Sequence, residues 1–157
     1  ASVLISDEFE KRGLKVPRLP EEITQQIREF TPAAGNILRN PVDYSQSMMN
    51  ISNLKRTVDM VSQWDGVDFL VDFVRTGQST RPGGTSAGWV LAAGRASKPV
   101  AVVLEPSLIP EEAREILRDI ERCAAAHLPI YYSFASAANA INLALNYYEG
   151  RKNRVWD

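Results

Sequence analysis

The sequence predicts an α/β fold, with a parallel sheet and helices packed on both of its faces. Three observations lead there. Pro99-Val100-Ala101-Val102-Val103-Leu104 is an unbroken apolar run of strand length, as expected of a strand buried on both sides of a parallel sheet. Pro20-Glu21-Glu22 and Pro110-Glu111-Glu112 each open a helical pattern, with proline in the first turn and carboxylates facing the positive end of the helix dipole. Strand and helix patterns then alternate through the second half of the chain, and consecutive parallel strands require right-handed helical crossovers.

Taken in order, Val3, Leu4, Ile5 and Phe9 form one helical face that closes at Gly13. The same apolar start could make a short strand; the charged run Asp7 to Arg12 favours the helix. Leu14-Lys15-Val16 reads as a minimal strand before Pro17. The helix opened at Pro20 buries Ile23, Ile27 and Phe30 and stops at Thr31-Pro32-Ala33-Ala34-Gly35, from which a loop runs to Asp43. Ser45 to Asn50 is polar and irregular. Leu54, Val58 and Val61 have helical spacing, with Met60 nearby and Trp64 closing the helix before an Asp65-Gly66 turn.

Val67 to Val74 reads as a strand with few polar interruptions, followed by a loop rich in Gly, Ser, Thr and Pro from Arg75 to Gly84. Thr85 or Ser86 can cap the next helix, which carries Trp89, Val90 and Ala93. After the Pro99–Leu104 strand, Ala113, Ile116, Leu117, Ile120 and Ala124 share one helical face. Pro129 to Tyr132 is the last strand. Ser133 caps a closing helix through Ala137, Ile141 and Leu145 that Gly150 ends, leaving residues 151–157 as an exposed tail after a domain of residues 1–150.

The 157 residues suffice for one domain with its own core. An apolar share of 45% and a charged share of 24% are those of an ordinary globular protein. A formal net charge of −1 argues against nucleic acid and against an anionic membrane surface as partners. Nothing approaches the ~20 continuous apolar residues of a membrane span. With no signal-peptide pattern and a single cysteine, Cys123, a reducing cytoplasmic setting is expected. Cys123, flanked by alanines, reads as core packing. Ala1 stands where an initiator methionine would be and leads straight into an apolar pattern, which fits a piece of a longer chain or a residue left by a tag.

Several residues carry a family signature in a fixed order: Gly13-Leu14, Pro17, Leu19-Pro20-Glu21-Glu22, Asn40-Pro41-Val42-Asp43, Pro129-Ile130-Tyr131, Ser133 and Ala137-Ala138. In this order they resemble the NDP-forming acyl-CoA synthetases, relatives of succinyl-CoA synthetase, and in particular their second flavodoxin-like domain. The resemblance covers nearly the whole chain. It implies a flavodoxin-like three-layer parallel sheet, usually five strands in the order 2-1-3-4-5. The family opens this domain with a central strand and a Gly-Gly turn, and this chain has neither, so its sheet is expected to lack the first strand. A sheet with an open slot invites association, including a homodimer through the exposed edge.

Ligands of open α/β sheets collect at the carboxyl ends of the strands, and three places qualify. The first is Ala1-Ser2 at the start of the first helix, which in the resembled family points at a phosphohistidine and phosphate; frayed end residues are the competing reading. The second is the loop after the third strand, where Thr76, Gly77, Gly83, Gly84, Thr85 and Ser86 offer backbone amides and Arg75 and Arg81 offer charge. A glycine pair near this point helps form the family's acyl pocket, and Gly83-Gly84 is the nearest equivalent; a plain surface loop competes with that reading. The third is the turn formed by Asn40, Pro41 and Asp43, read chiefly as structural.

His127, the only histidine, falls where the family has glycine, at the amino end of the sheet, and is rejected as a phosphoryl carrier. One histidine and one cysteine make a protein-only zinc site improbable. The resemblance implies no catalytic residue and no cofactor held by this domain itself. It implies a parent acid–thiol ligase that uses CoA, ADP/ATP and Mg through a CoA-binding domain and an ATP-grasp domain or subunit. The alternative is a non-catalytic docking or regulatory module, for which the same resemblance offers a fusion with a protein acetyltransferase as the parent.

Overall fold

The computed structural model describes residues 2–31, 35–43, 51–74, 94, 96–105 and 109–152. Helix α1 (Ser2–Glu10) ends in a turn through Gly13, whose φ of +82° suits a residue without Cβ. The Gly13 amide donates to the Glu10 carbonyl at 3.0 Å and the Leu14 amide to that of Phe9 at 3.2 Å. Phe9 and Leu14 thereby meet in the same hydrophobic cluster. Helix α2 (Glu21–Phe30) begins one residue later than the proline pattern suggests, since Pro20 is its N-cap. The Pro20 carbonyl accepts both the amide and the hydroxyl of Thr24, at 3.0 and 3.1 Å. Ile27 is fully buried on the face that Ile23 and Phe30 share.

Strands β1 (Ile37–Leu38) and β2 (Val42–Asp43) form a minimal antiparallel hairpin, with Leu38 opposite Val42, where the sequence suggested only a loop. Its turn holds a cis Asn40-Pro41 peptide, and the Asn40 side-chain amide donates to the Pro17 carbonyl at 3.0 Å. Leu19, Ile27, Leu38, Val42, Met60, Val61 and Trp64 make one cluster, so this hairpin is roofed by α2 and by helix α3 (Ile51–Gln63). The opposite edge of α3 buries Leu54 and Val58 against Leu70 and Ala96. Such fully buried aliphatic side chains each contribute roughly 1.5–3 kcal/mol relative to exposure.

The main sheet comprises β3 (Leu70–Val74), β4 (Val100–Leu104) and β5 (Ile130–Tyr131), all parallel, in the order β3-β4-β5. Every residue of β4 is buried, as its apolar run requires. On one face Phe69, Val71, Phe73, Val103 and Tyr131 pack with α1 and with helix α5 (Phe134–Lys152), through Phe9, Phe134, Ala137, Ala138 and Ile141. On the other, Val74, Val102, Leu104 and Ile130 pack with Ile116, Ile120 and Cys123 of helix α4 (Pro110–Ala125). The domain is α/β with a flavodoxin-like arrangement and a truncated sheet.

Two expectations need correction. Leu14-Lys15-Val16 joins no ladder, although Leu14 and Val16 still pack on the α1–α5 side. A strand needs a partner, and among the described residues none pairs with this segment. Helix α5 also does not stop at Gly150; it runs through that exposed glycine to Lys152. Glycine lowers helix propensity by about 1 kcal/mol but forbids nothing.

Candidate site at the carboxyl edge of the sheet

Because β3, β4 and β5 are parallel, Val74, Leu104 and Tyr131 end on one edge of the sheet. Helix α5 follows β5 after two residues, so its N-terminus opens on that edge. Ser133 caps it: the Ser133 hydroxyl oxygen accepts the Ser136 amide at 3.1 Å, and the Ser136 hydroxyl returns to the Ser133 carbonyl at 2.9 Å. Helix α4 starts on the same edge behind Ile109, with no side-chain cap and with Pro110 at its first position. Tyr132, 57% exposed, stands between them.

Helix α1 points the same way. The Phe9 ring meets that of Phe134, at the very start of α5, edge-on with centroids 6.3 Å apart. Farther along both helices, the Asn142 side-chain amide donates to the Arg12 carbonyl at 2.9 Å. Advancing along α1 therefore means advancing along α5, and the two are parallel neighbours. Ser2 precedes Phe9 by two helical turns, about 10 Å of rise, and so begins α1 on the carboxyl-edge side of the Phe9–Phe134 contact. Unpaired amides at that end carry the positive pole of the helix.

Of the residues expected to form a phosphate or substrate site, Ser2 thus opens α1 on the side of this edge. Ala1, Thr76, Gly77, Gly83, Gly84, Thr85 and Ser86 lie outside the described residues, as do Arg75, Arg81 and Trp89. Asn40 and Pro41 lie in the hairpin turn, where Asn40 is tied to Pro17, while Asp43 belongs to β2 opposite Ile37. His127 sits at the other end of the strands, before β5, at φ +57°. Among the described residues no cluster of three or more His, Cys, Asp or Glu could hold a metal ion.

One buried group escaped the sequence reading. Asp72 interrupts the centre of β3, is 3% exposed, and its Oδ2 has no hydrogen-bond partner among the described residues. Burial drives its carboxyl well above the usual carboxylate range, and a hydrogen bond with the Phe73 backbone offsets only part of this. The available signal was a lone carboxylate in the run Phe69-Leu70-Val71-Asp72-Phe73-Val74. Cys123 lies close by on α4, buried as expected, with its thiol pushed up to about 11. Burial is the main cause, the Asp119 carboxylate adds to it, and Asp72 contributes only when ionised. Asp119 is itself buried and paired with Arg122 at 3.1 Å.

No family model matches the chain. Over 119 residues it is 31% identical to the alpha subunit of acetate–CoA ligase [ADP-forming] II from Pyrococcus furiosus, a match covering 73% of this chain and 26% of the relative. The crystal structure of PH0766 from Pyrococcus horikoshii OT3 superposes with a TM-score of 0.67 at 26% identity, covering 90% of this chain and 32% of that one. The chain is an NDP-forming acyl-CoA synthetase-like domain. This synthetase-like domain spans about a quarter of its curated relative and a third of the structural neighbour. The fold agreement extends to nearly all of the domain.

Proposed function

We propose that this domain serves a multi-part acid–thiol ligase that interconverts acyl-CoA, nucleoside diphosphate and phosphate with free acid, CoA and triphosphate. Its part is electrostatic and architectural. The first turn of α1, at Ala1 and Ser2, and the amides of Thr76, Gly77, Gly83, Gly84, Thr85 and Ser86 would receive a phosphoryl or acyl-phosphate anion generated on a neighbouring domain. CoA, the adenine nucleotide and its Mg would be held by CoA-binding and ATP-grasp domains or subunits, and the isolated domain would be inactive. The similarity to a CoA ligase subunit supports this reading, and the parallel course of α1 and α5 carries it. That course aims a helix N-terminus at the edge where open parallel sheets bind ligands.

The chemistry asked of these groups is modest and specific. A helix N-terminus stabilises an anion by about 0.3–1 kcal/mol when exposed and up to ~2 kcal/mol when partly buried. Removal of one preorganised amide donor from a closed site costs about 3–4 kcal/mol of transition-state stabilisation. Valine at Gly83 and Gly84 keeps these amides but bars close approach of the backbone to an anion, so in the enzyme that carries this domain it should lower turnover at least tenfold, with CoA and nucleotide affinities kept. Unchanged turnover would refute the site assignment.

A second reading has an observation of its own. The outer edge of β3 pairs with no strand among the described residues, and such an edge recruits partners. A docking or regulatory module, including a homodimer through this edge or a synthetase part fused to a protein acetyltransferase, fits that feature. In that case the glycine replacements leave turnover intact, whereas Val71→Pro on β3 disrupts assembly.

A further inference from the structure

We propose that the pocket between α5 and the amino ends of β3, β4 and β5 binds a small amphiphilic carboxylate, whose apolar body lies on Phe69 and Ile141 and whose charge meets Lys98 and His127. The pocket has a volume of about 440 Å³, within the range of roughly 300–1,000 Å³ typical of small-molecule sites. It lies at the opposite end of the strands from the edge described above. The space exists because Ala140 and Ala144, one turn apart on α5, are too short to fill the gap over the sheet.

The lining is apolar except at its basic members. Lys98 and His127 are part of the wall, and no carboxylate is, among the described residues. An apolar cleft with an ammonium and an imidazole on its wall selects a ligand with a hydrophobic body and a single negative head. The backbone at His127 strengthens the argument. Helix α4 ends as α1 does: the His127 amide donates to the Ala124 carbonyl at 3.0 Å, and the Leu128 amide to that of Cys123 at 2.9 Å. In α1 the left-handed position of this turn is Gly13; in α4 it is His127, at φ +57°. A side chain there is strained, and it places an imidazole on the pocket wall. A protonated histidine at a helix C-terminus also interacts favourably with the dipole, so a test must separate a purely capping role from ligand recognition.

His127 is the only histidine, so its proton resonances report on the pocket without ambiguity. Hexanoate titrated into the chain at constant pH should shift the imidazole signals saturably in the millimolar range. Hexanol should bind at least about tenfold more weakly, the value of one charge-assisted hydrogen bond. Ala144→Phe, at an exposed helical position, should abolish the response, and Lys98→Ala should weaken it about tenfold. His127→Gly is compatible with the left-handed turn and folds; it should lose hexanoate affinity by a similar factor, read from the Leu128 and Tyr131 amide resonances. Imidazole signals that ignore hexanoate, respond equally to hexanol, or persist unchanged in Ala144→Phe would overturn the proposal and leave His127 as a helix cap only.

Discussion

The side-chain amide of Asn142 donates to the main-chain carbonyl of Arg12 at 2.9 Å, joining residues 130 positions apart. It ties the end of α1 to the middle of α5 and helps keep the two helices parallel. Whatever α1 presents at the carboxyl edge of the sheet depends on this registration.

Asn142→Ala should therefore destabilise the domain by about 1–2 kcal/mol, because a partly buried carbonyl loses its donor. Urea denaturation gives the magnitude. Amide exchange should speed up selectively in α1, and uniform acceleration throughout the domain would argue against a local clamp.

A second expectation comes from Gly66. A Cβ placed there would overlap the six-membered ring of the Trp64 indole, which Leu38, Val42 and their neighbours hold in the α2–hairpin–α3 cluster. Gly66→Ala should cost about 1–3 kcal/mol, the usual range for overpacking, and should alter tryptophan emission as the indole moves. A variant with wild-type stability and emission would show that Trp64 has free room to swing away.

Asp72 predicts a pH dependence. Its carboxyl pKa in the folded state lies well above 3.8, the ordinary value that the unfolded chain approaches. Folded protein thus keeps a proton that the unfolded chain releases, so this group lowers stability as pH rises from about 4 towards its folded pKa, and is level above it. Asp72→Asn removes that slope while preserving shape. The stability difference between variant and parent, measured by urea denaturation from pH 4 to pH 8, should grow in favour of asparagine with rising pH. A difference independent of pH would mean that Asp72 is ionised and compensated in the folded protein.

Cys123 should be inert. A thiol raised to about 11 and only 2% exposed offers almost no thiolate at pH 8. Ellman's reagent should titrate less than a tenth of the thiol within minutes in native buffer, and all of it in urea. Rapid native labelling would require that α4 opens readily from β3 and β4.

The legible parts of the fold were those whose cause lies within a few residues. The β4 run was legible because a strand buried on both faces needs no polar alternation. The stripe of Ile23, Ile27 and Phe30, and that of Leu54 and Val58, were legible from helical spacing alone. Cys123 fell on the inner side of α4 for the same reason. The β1–β2 hairpin was not legible, since two-residue strands carry no periodicity and depend on the roof that α2 and α3 provide. The candidate site was legible only as a location. The rule that parallel sheets bind at their carboxyl edge pointed to it, but the direction of α1 is set by contacts with α5 at the far end of the chain.

By itself the sequence determined the long helices, most of their buried stripes, the strands β3 to β5 and the parallel class of the sheet, because these follow from side-chain patterns and capping over short stretches. Tertiary structure alone decided that Leu14–Val16 stays out of the sheet, that Asp72 is sealed in with no partner for its Oδ2 among the described residues, and that α1 runs parallel to α5. Each of those outcomes depends on which distant segment lies alongside, and a hydrogen bond or a loss of solvent is fixed only when that neighbour arrives.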